Sequence, residues 1–214
     1  MLDLGKTNIN KIFWTYAIPS ILMMIVQSTA GFIDSLFVGR YVGAEGLAAI
    51  TLVMPIIMFL IGVGTMIAIG GTTLAAIEKG ADNFIQSNNY FNVTTSLLLI
   101  SGALGAFSIY TLIPFLANLL GAEGEVLLKT VEYARYIAIF VPFFLLSFGL
   151  SFFLKLDGKP VATLIVMLSG TLTNIVLDYI LIVKIDLGIR GAALATGISQ
   201  VIPSIIFVIL IIFK

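Results

Sequence analysis

The stretch VATLIVMLSGTLTNIVLDYILIV, residues 161–183, decides how this chain folds. It is long enough to cross the hydrocarbon core of a bilayer, which takes about 20 mostly apolar residues in a helix. It nevertheless contains an amide and a carboxyl group, Asn174 and Asp178, which are four residues apart and share one helical face. The stretch therefore predicts a membrane-spanning helix with a polar face.

The rest of the chain has the same apolar character. Of its 214 residues, 60% are hydrophobic and 10% are charged, whereas a soluble domain carries about 25% charged residues. Six stretches are long and apolar enough to span a membrane: about 12–37, 46–71, 91–116, 127–153, 161–183 and 191–213. We therefore predict an all-α membrane protein in which residues 1–214 form a single unit of six transmembrane helices.

Charge and residue usage exclude several classes of function. The eleven basic residues balance the eleven acidic ones, so no basic excess indicates a nucleic-acid partner. The chain contains no Cys and no His, which excludes disulfides, thiol chemistry, imidazole bases and the usual zinc sites. Any chemistry must depend on carboxylates, amides, hydroxyls and the backbone, and we expect no organic cofactor.

Six spans return the chain to its starting side, so both termini are expected on one face of the membrane. Lys6, Lys11, Lys79, Lys155, Lys159 and Lys214 fall on that side, and Arg40, Lys129, Arg135, Lys184 and Arg190 on the other. This small excess favours cytoplasmic termini, in what we expect to be the cell membrane.

Prolines lie within or directly beside the predicted spans. Pro160 is expected in the first turn of its helix, where the missing N–H costs nothing. Pro19, Pro142 and others lie nearer helix interiors, where each removes a backbone hydrogen bond and favours a kink. Pro19 is of most interest, because it shares a span with Gln27 and Asp34.

Asp34 and Asp178 are both predicted inside spans. A charged group at mid-bilayer costs about 2.5 to 3.5 kcal/mol on insertion scales, and such groups usually face a bundle interior or mark an ion pathway. Gln27 lies seven residues before Asp34, on nearly the same helical face, and Thr196 adds a hydroxyl from the sixth span. Together with Asn174 these residues are predicted to form an oxygen-rich pocket.

No Lys or Arg is expected deep enough in a span to neutralise this pocket. Desolvation and mutual repulsion oppose the ionisation of two adjacent carboxyl groups, so the pair must take up a proton or bind a cation. Oxygen ligands suit Na⁺ or H⁺ better than a soft metal. The alternative is that the polar groups only hydrogen-bond between helices. Tyr133 either lines the same cavity or anchors its helix at the membrane interface.

Several stretches resemble the multidrug and toxic compound extrusion (MATE) transporters. They are AIPSILMMIVQSTAGFIDSLFVGRYVGAEGLAAI (17–50), KGAD (79–82), KLDGKP (155–160) and GTLTNIVLDYILIVKIDLGIRGAALATGISQ (170–200). The similarity runs over essentially the whole chain. It implies the amino-terminal six-helix lobe of an exporter that exchanges Na⁺ or H⁺ for organic, often cationic, drugs or metabolites.

The resemblance also implies roles for individual residues. The cation or proton site of that lobe, where Na⁺ is one expected ligand, falls on Asp34, Asn174, Asp178 and Thr196. Gln27 and Tyr133 correspond to residues of the lobe's cavity, and Pro19 to its helix-bending proline. The family has twelve spans in two lobes, so a second six-helix lobe is an expected partner. The sequence leaves open a fragment, a split half and a homodimer.

We hypothesise that neutralising the Asp34–Asp178 pair favours a different bend of the first span near Pro19 and helps to expel substrate. A lipid or lipid-linked precursor flippase is an alternative, although it would be expected to offer basic groups to phosphates. A non-transporting membrane assembly subunit is another. An intramembrane enzyme is disfavoured, because neither aspartate has the loop setting expected for aspartyl protease chemistry.

Overall fold

The computed structural model describes residues 8–212, and nearly all of them are helical. The helices are α1 Ile9–Tyr41, α2 Ala44–Gly80, α3 Phe84–Leu119, α4 Gly124–Ala138, α5 Val141–Leu156, α6 Pro160–Asp178 and α7 Gly188–Ile212. A π-helical stretch, Tyr179–Lys184, continues α6 without a break and is called the π-segment below. Lys6 and Lys214, which were counted in predicting the orientation, lie outside the described residues.

Five of these elements are long and apolar enough to cross a membrane, counting α6 with the π-segment as one. A sixth span results if α4 and α5 are taken together, since they are joined by a bend of 55°. The prediction of an all-α, multi-pass membrane protein is therefore confirmed.

The bend between α4 and α5 divides the stretch 127–153, which was predicted as one span. Pro142 lies at the start of α5, where its ring and its missing N–H prevent the preceding turn from continuing as α-helix. Gly102 of α3 packs against this point, since a Cβ there would lie 2.5 Å from Cα of Pro142. The proline thus produces a full break where a kink was expected.

The helices are longer than the apolar stretches that predicted them. Residues 72–90 are polar enough to suggest a connector, yet α2 continues to Gly80 and α3 begins at Phe84. Asn83 caps α3 by accepting a hydrogen bond from the Gln86 N–H at 3.3 Å. Polarity in this region therefore marks the ends of the spans and not the ends of the helices.

Burial is very uneven among the helices. The centre of the bundle is α5, most of whose residues are buried, including Leu145, Leu150 and Leu154. In contrast, only Pro19 and Val38 are buried in α1, which packs chiefly against α6 at the outside of the bundle. Moving α1 would therefore disturb little of the core.

Candidate functional site

A cavity of about 230 Å³ lies among α1, α2, α4, α5, α6 and α7. Five of the predicted residues line it: Gln27, Asp34, Tyr133, Asn174 and Thr196. Most of the remaining wall is apolar and includes Met54, Met58 and Met167. The fold therefore brings most of the predicted polar set to one place.

Asp178 lies immediately beside this cavity without lining it. Its side chain is fully buried, and its carboxyl group is within hydrogen-bonding reach of the carboxyl group of Asp34. No described residue donates a hydrogen bond to either oxygen of Asp178. Two carboxylates are both acceptors, so a hydrogen bond between them requires a proton that one of them carries.

The four residues predicted to bind a cation share a second property. Each has a buried polar atom without a hydrogen-bond partner in the described part of the chain: Asp34 Oδ1, Asn174 Nδ2, Asp178 Oδ1 and Oδ2, and Thr196 Oγ1. Only Thr72 and Thr95 have such atoms elsewhere within residues 8–212. Buried polar groups are normally paired, so this concentration indicates a site that accepts a ligand.

The chemistry of the donor set limits that ligand. Among the described residues no group of three or more His, Cys, Asp or Glu side chains could hold a metal ion, and no Lys or Arg of residues 8–212 lines the cavity. Two carboxyl groups with an amide and a hydroxyl can hold a proton or a single hard cation such as Na⁺. Either one lowers the local negative charge.

Pro19 and Gln27 occupy different positions on α1. Gln27 faces the cavity, although much of its side chain is exposed. Pro19 is buried two helical turns nearer the amino terminus and does not line the cavity. Pro19 can therefore influence the site by changing the path of α1, but not by direct contact through the cavity wall.

The π-segment begins directly after Asp178, and no sequence pattern predicted it. Such wide turns are rare and occur frequently at functional sites. α7 crosses it closely, since a Cβ on Gly191 would lie 3.0 Å from the carbonyl of Leu181. The π-segment thus fixes how the end of α6 that carries Asp178 sits against α7.

Sequence reasoning also missed Gln200, which lines the cavity one turn along α7 from Thr196. The hydroxyl of Ser147, on α5, donates to Gln200 Oε1 at 2.8 Å. Ser147 is fully buried. The spacing of four residues from Thr196 was the available signal, because it places both polar groups on one helical face.

Comparisons with known proteins agree with this architecture. The sequence matches the MatE family over residues 19–180. The multidrug export protein MepA of Staphylococcus saprophyticus is 31% identical over 204 residues, which cover 95% of this chain and 45% of that protein.

Two solved structures of MATE proteins are also similar. The crystal structure of a proline-to-alanine mutant has a TM-score of 0.90 and 26% identity, and the match covers 97% of this chain and 46% of that one. A MATE crystal structure in the bent conformation has a TM-score of 0.85 and 28% identity, covering 92% and 44% of the two chains. The chain thus spans about half the length of the relatives it matches.

Proposed function

Because the chain belongs to the MatE family, we propose that it supplies the cation-binding lobe of an antiporter that exports organic cations in exchange for H⁺ or Na⁺. The family consists of multidrug export transporters, so the chain is a transporter component and not an enzyme. Since it covers 45% of the MepA sequence, the proposal includes a second six-helix lobe, either from the same polypeptide or from a second copy.

The observation that carries the proposal is the cluster of unpaired polar atoms on Asp34, Asn174, Asp178 and Thr196. An unpaired buried polar group costs about 1 to 3 kcal/mol. Four such residues that served only packing would lower the stability of the protein with no compensating contact. A proton or Na⁺ held between the carboxyl groups removes that cost, which gives the cluster a ligand-dependent energy.

Coupling requires that the ion bind one conformation better than another, since equal affinity would shift no equilibrium. In the proposed cycle the ion enters between Asp34 of α1 and Asp178 of α6, and it draws the two helices together. α1 can respond because only Pro19 and Val38 in it are buried. Bending at Pro19 then narrows the cavity and disfavours a bound substrate.

The cavity supports an organic cation as the substrate class. It combines a carboxyl group with a largely apolar wall that contains three methionines, which adapt to varied ligand shapes. Its volume of about 230 Å³ is smaller than the 300 to 1,000 Å³ of typical ligand pockets. A drug-sized molecule would therefore extend towards the second lobe.

Transport assays in liposomes test the proposal. The purified protein is reconstituted in liposomes made from the cell-membrane lipids of its source. The liposomes are loaded with a fluorescent organic cation, and an Na⁺ gradient or an H⁺ gradient is imposed on separate samples. Asp34→Asn and Asp178→Asn are each expected to abolish gradient-driven export while insertion persists. Asp186→Asn makes the same change at an exposed position outside the cavity, and it is expected to leave export unchanged.

The two possible failures have different meanings. If both cavity variants still exported the cation against its gradient, the ion-site assignment would be wrong. If the wild type exported under neither gradient but lost substrate binding when Asp34 was changed, the coupling part of the proposal would be wrong. The side of the termini, expected to be cytoplasmic, is checked by protease access to tags at either end.

A further inference from the structure

The side chain of Tyr16 links α1 to a part of the chain that is distant in sequence. Its hydroxyl donates a hydrogen bond to the backbone carbonyl of Lys155 at 3.2 Å, and Lys155 lies in the last turn of α5. That carbonyl also accepts from the Gly158 N–H at 2.9 Å, and a carbonyl oxygen has lone pairs for two donors. The contact therefore joins the first part of α1 to the turn between α5 and α6.

Such a contact is uncommon in α1. Three other hydroxyl side chains of this helix donate to carbonyls of the helix itself: Thr15, Thr29 and Ser35. Within residues 8–212, side chains of α1 reach hydrogen-bond partners on other helices at Tyr16 and, through a shared proton, at Asp34 with Asp178. These two points lie on opposite sides of Pro19. Only the second of them depends on a proton or an ion.

The path of α1 is easiest to change just beyond Tyr16. Pro19 has no N–H for the carbonyl four residues earlier, so the turn that contains Tyr16 lacks one of its backbone hydrogen bonds. Residues 20–37 contain no buried residue, and burial resumes at Val38. The stretch 20–37, which carries Asp34, is therefore the part of α1 that can bend at the least cost in packing.

A helix at the outside of a bundle can move in two ways. It can shift as a rigid rod, or it can bend while one part stays in place. A shift of the whole of α1 would break the hydrogen bond of Tyr16, because its acceptor belongs to α5 at the centre of the bundle. A bend beyond Pro19 leaves this bond intact. The contact of Tyr16 therefore favours bending over displacement.

We propose that Tyr16 is a positioning residue for transport: it anchors the first part of α1, so that ion binding at Asp34 bends residues 20–37 and does not displace the whole helix. This inference rests on the function proposed above, since it concerns how ion binding changes the cavity. Tyr16 does not line that cavity. Without the anchor, part of the ion-driven movement becomes a shift of the whole helix, and the cavity narrows less for each ion bound.

Distances between spin labels test the anchor. The chain has no cysteine, so labels can be attached to cysteines introduced at exposed positions. Leu104→Cys on α3 is the reference, and it is combined either with Phe13→Cys, before Tyr16, or with Ile25→Cys, beyond Pro19. The native side chains at these three positions are 63%, 59% and 57% exposed. Electron double resonance of the reconstituted protein gives both distances with and without Na⁺, and at acidic and alkaline pH.

With Tyr16 in place, ion binding is expected to shift the distance from residue 25 and to leave the distance from residue 13 unchanged. Tyr16→Phe removes only the hydroxyl. We expect it to raise about fivefold the fraction of molecules in which the ion also shifts the distance from residue 13, the factor that corresponds to the net contribution of one neutral hydrogen bond. Gradient-driven export of the fluorescent cation should fall in parallel. A merely structural role would lower the melting temperature without making this distance depend on the ion.

Tyr110→Phe is the matched control, because it removes the hydroxyl of an exposed tyrosine on α3. It is expected to keep both distances and their response to the ion. The proposal is overturned if Tyr16→Phe leaves the distance from residue 13 independent of the ion, or if Tyr110→Phe has the same effect as Tyr16→Phe. If the ion shifts neither distance when Tyr16 is present, the bending step of the proposed function is wrong, and the anchor falls with it.

Discussion

Two pairs of charged side chains among the described residues, Asp34 with Asp178 and Lys79 with Asp157, are built in opposite ways. Asp34 and Asp178 are like-charged and close together, and they lack protein donors among the described residues. Lys79 and Asp157 are oppositely charged and joined by a 2.8 Å contact. The two pairs are also far apart along α6. Asp178 lies roughly 27 Å along this helix from Pro160, which follows Asp157 by three residues.

The comparison shows how burial of charge can be assigned a role. A buried pair of opposite charges satisfies itself and contributes little net stability, but removing one partner is strongly destabilising. A pair of like charges cannot satisfy itself and is stable only with a ligand. The opposite-charge pair links the ends of two helices, whereas the like-charge pair is the one that we propose responds to an ion.

The largest expected effect comes from making the Lys79–Asp157 pair like-charged, as the Asp34–Asp178 pair is. Lys79→Asp places two carboxylates together at the ends of α2 and α5, and we expect a loss of about 3 kcal/mol in the free energy of unfolding. The thermal midpoint of detergent-solubilised protein, followed by size-exclusion chromatography after heating, measures it. Adding Asp157→Lys restores an opposite-charge pair and should recover most of the loss; no recovery would contradict the comparison.

The next effect has the opposite sign. Asp178→Asn removes one of the two like charges, so we expect it to stabilise the protein by about 1 to 2 kcal/mol in the absence of the coupling ion. Adding that ion should reduce the difference in stability between Asp178→Asn and the wild type, because ligand binding stabilises the wild type alone. The same thermal assay applies, with Asp186→Asn as control. A destabilised Asp178→Asn variant would mean that the carboxylate is satisfied in the ion-free protein.

A smaller change tests the site around Asp34 and Asp178 without removing a charge. Thr196→Val keeps the side-chain shape but deletes the hydroxyl whose oxygen lacks a partner. We expect a loss of about 1 kcal/mol in ion binding, or roughly a fivefold weaker affinity, with an unchanged melting temperature. Isothermal titration with Na⁺, or proton release on titration, measures the affinity of the variant and of the wild type. Equal affinities would show that Thr196 is not part of the site.

The smallest effect is expected at another charge contact, between Arg190 and Glu132. Their side chains are 55% and 30% exposed, and exposed ion pairs contribute little to stability. Arg190→Gln should therefore leave both the melting temperature and export unchanged within the scatter of the assays. A clear loss of either would show that this end of α7 has a role beyond surface charge.

Much of the fold followed from apolar patterning. Within residues 8–212, three predicted spans lie inside α1, α2 and α3, one runs through α4 and α5, one through α6 and the π-segment, and one lies in α7. About 20 apolar residues leave a chain few other structures in a membrane. The polar set could also be predicted, since Asp34 and Asp178 interrupt apolar runs. Their roles in ion binding stay predictions.

Other features depend on contacts that no local pattern contains. The bend at Pro142 was foreseen as a kink, but its size of 55° reflects the packing of α3 through Gly102. The pairing of Lys79 with Asp157 joins two connectors that are distant in sequence. Gln200 was overlooked because its hydrogen-bond partner Ser147 lies in another helix.

The π-segment also affects how sequences of this kind can be aligned and can diverge. Its wide turn holds one residue more than an α-helical turn would, so deleting a single codon within residues 179–184 would let the helix become regular. Because the wide turn absorbs that extra residue, the residues on either side of the deletion would keep their orientation relative to Asp178. Hydropathy plots would hardly show such a deletion, and the packing of α6 against α7 would survive it, so a one-residue alignment gap at this point is compatible with the same fold on both sides of the gap.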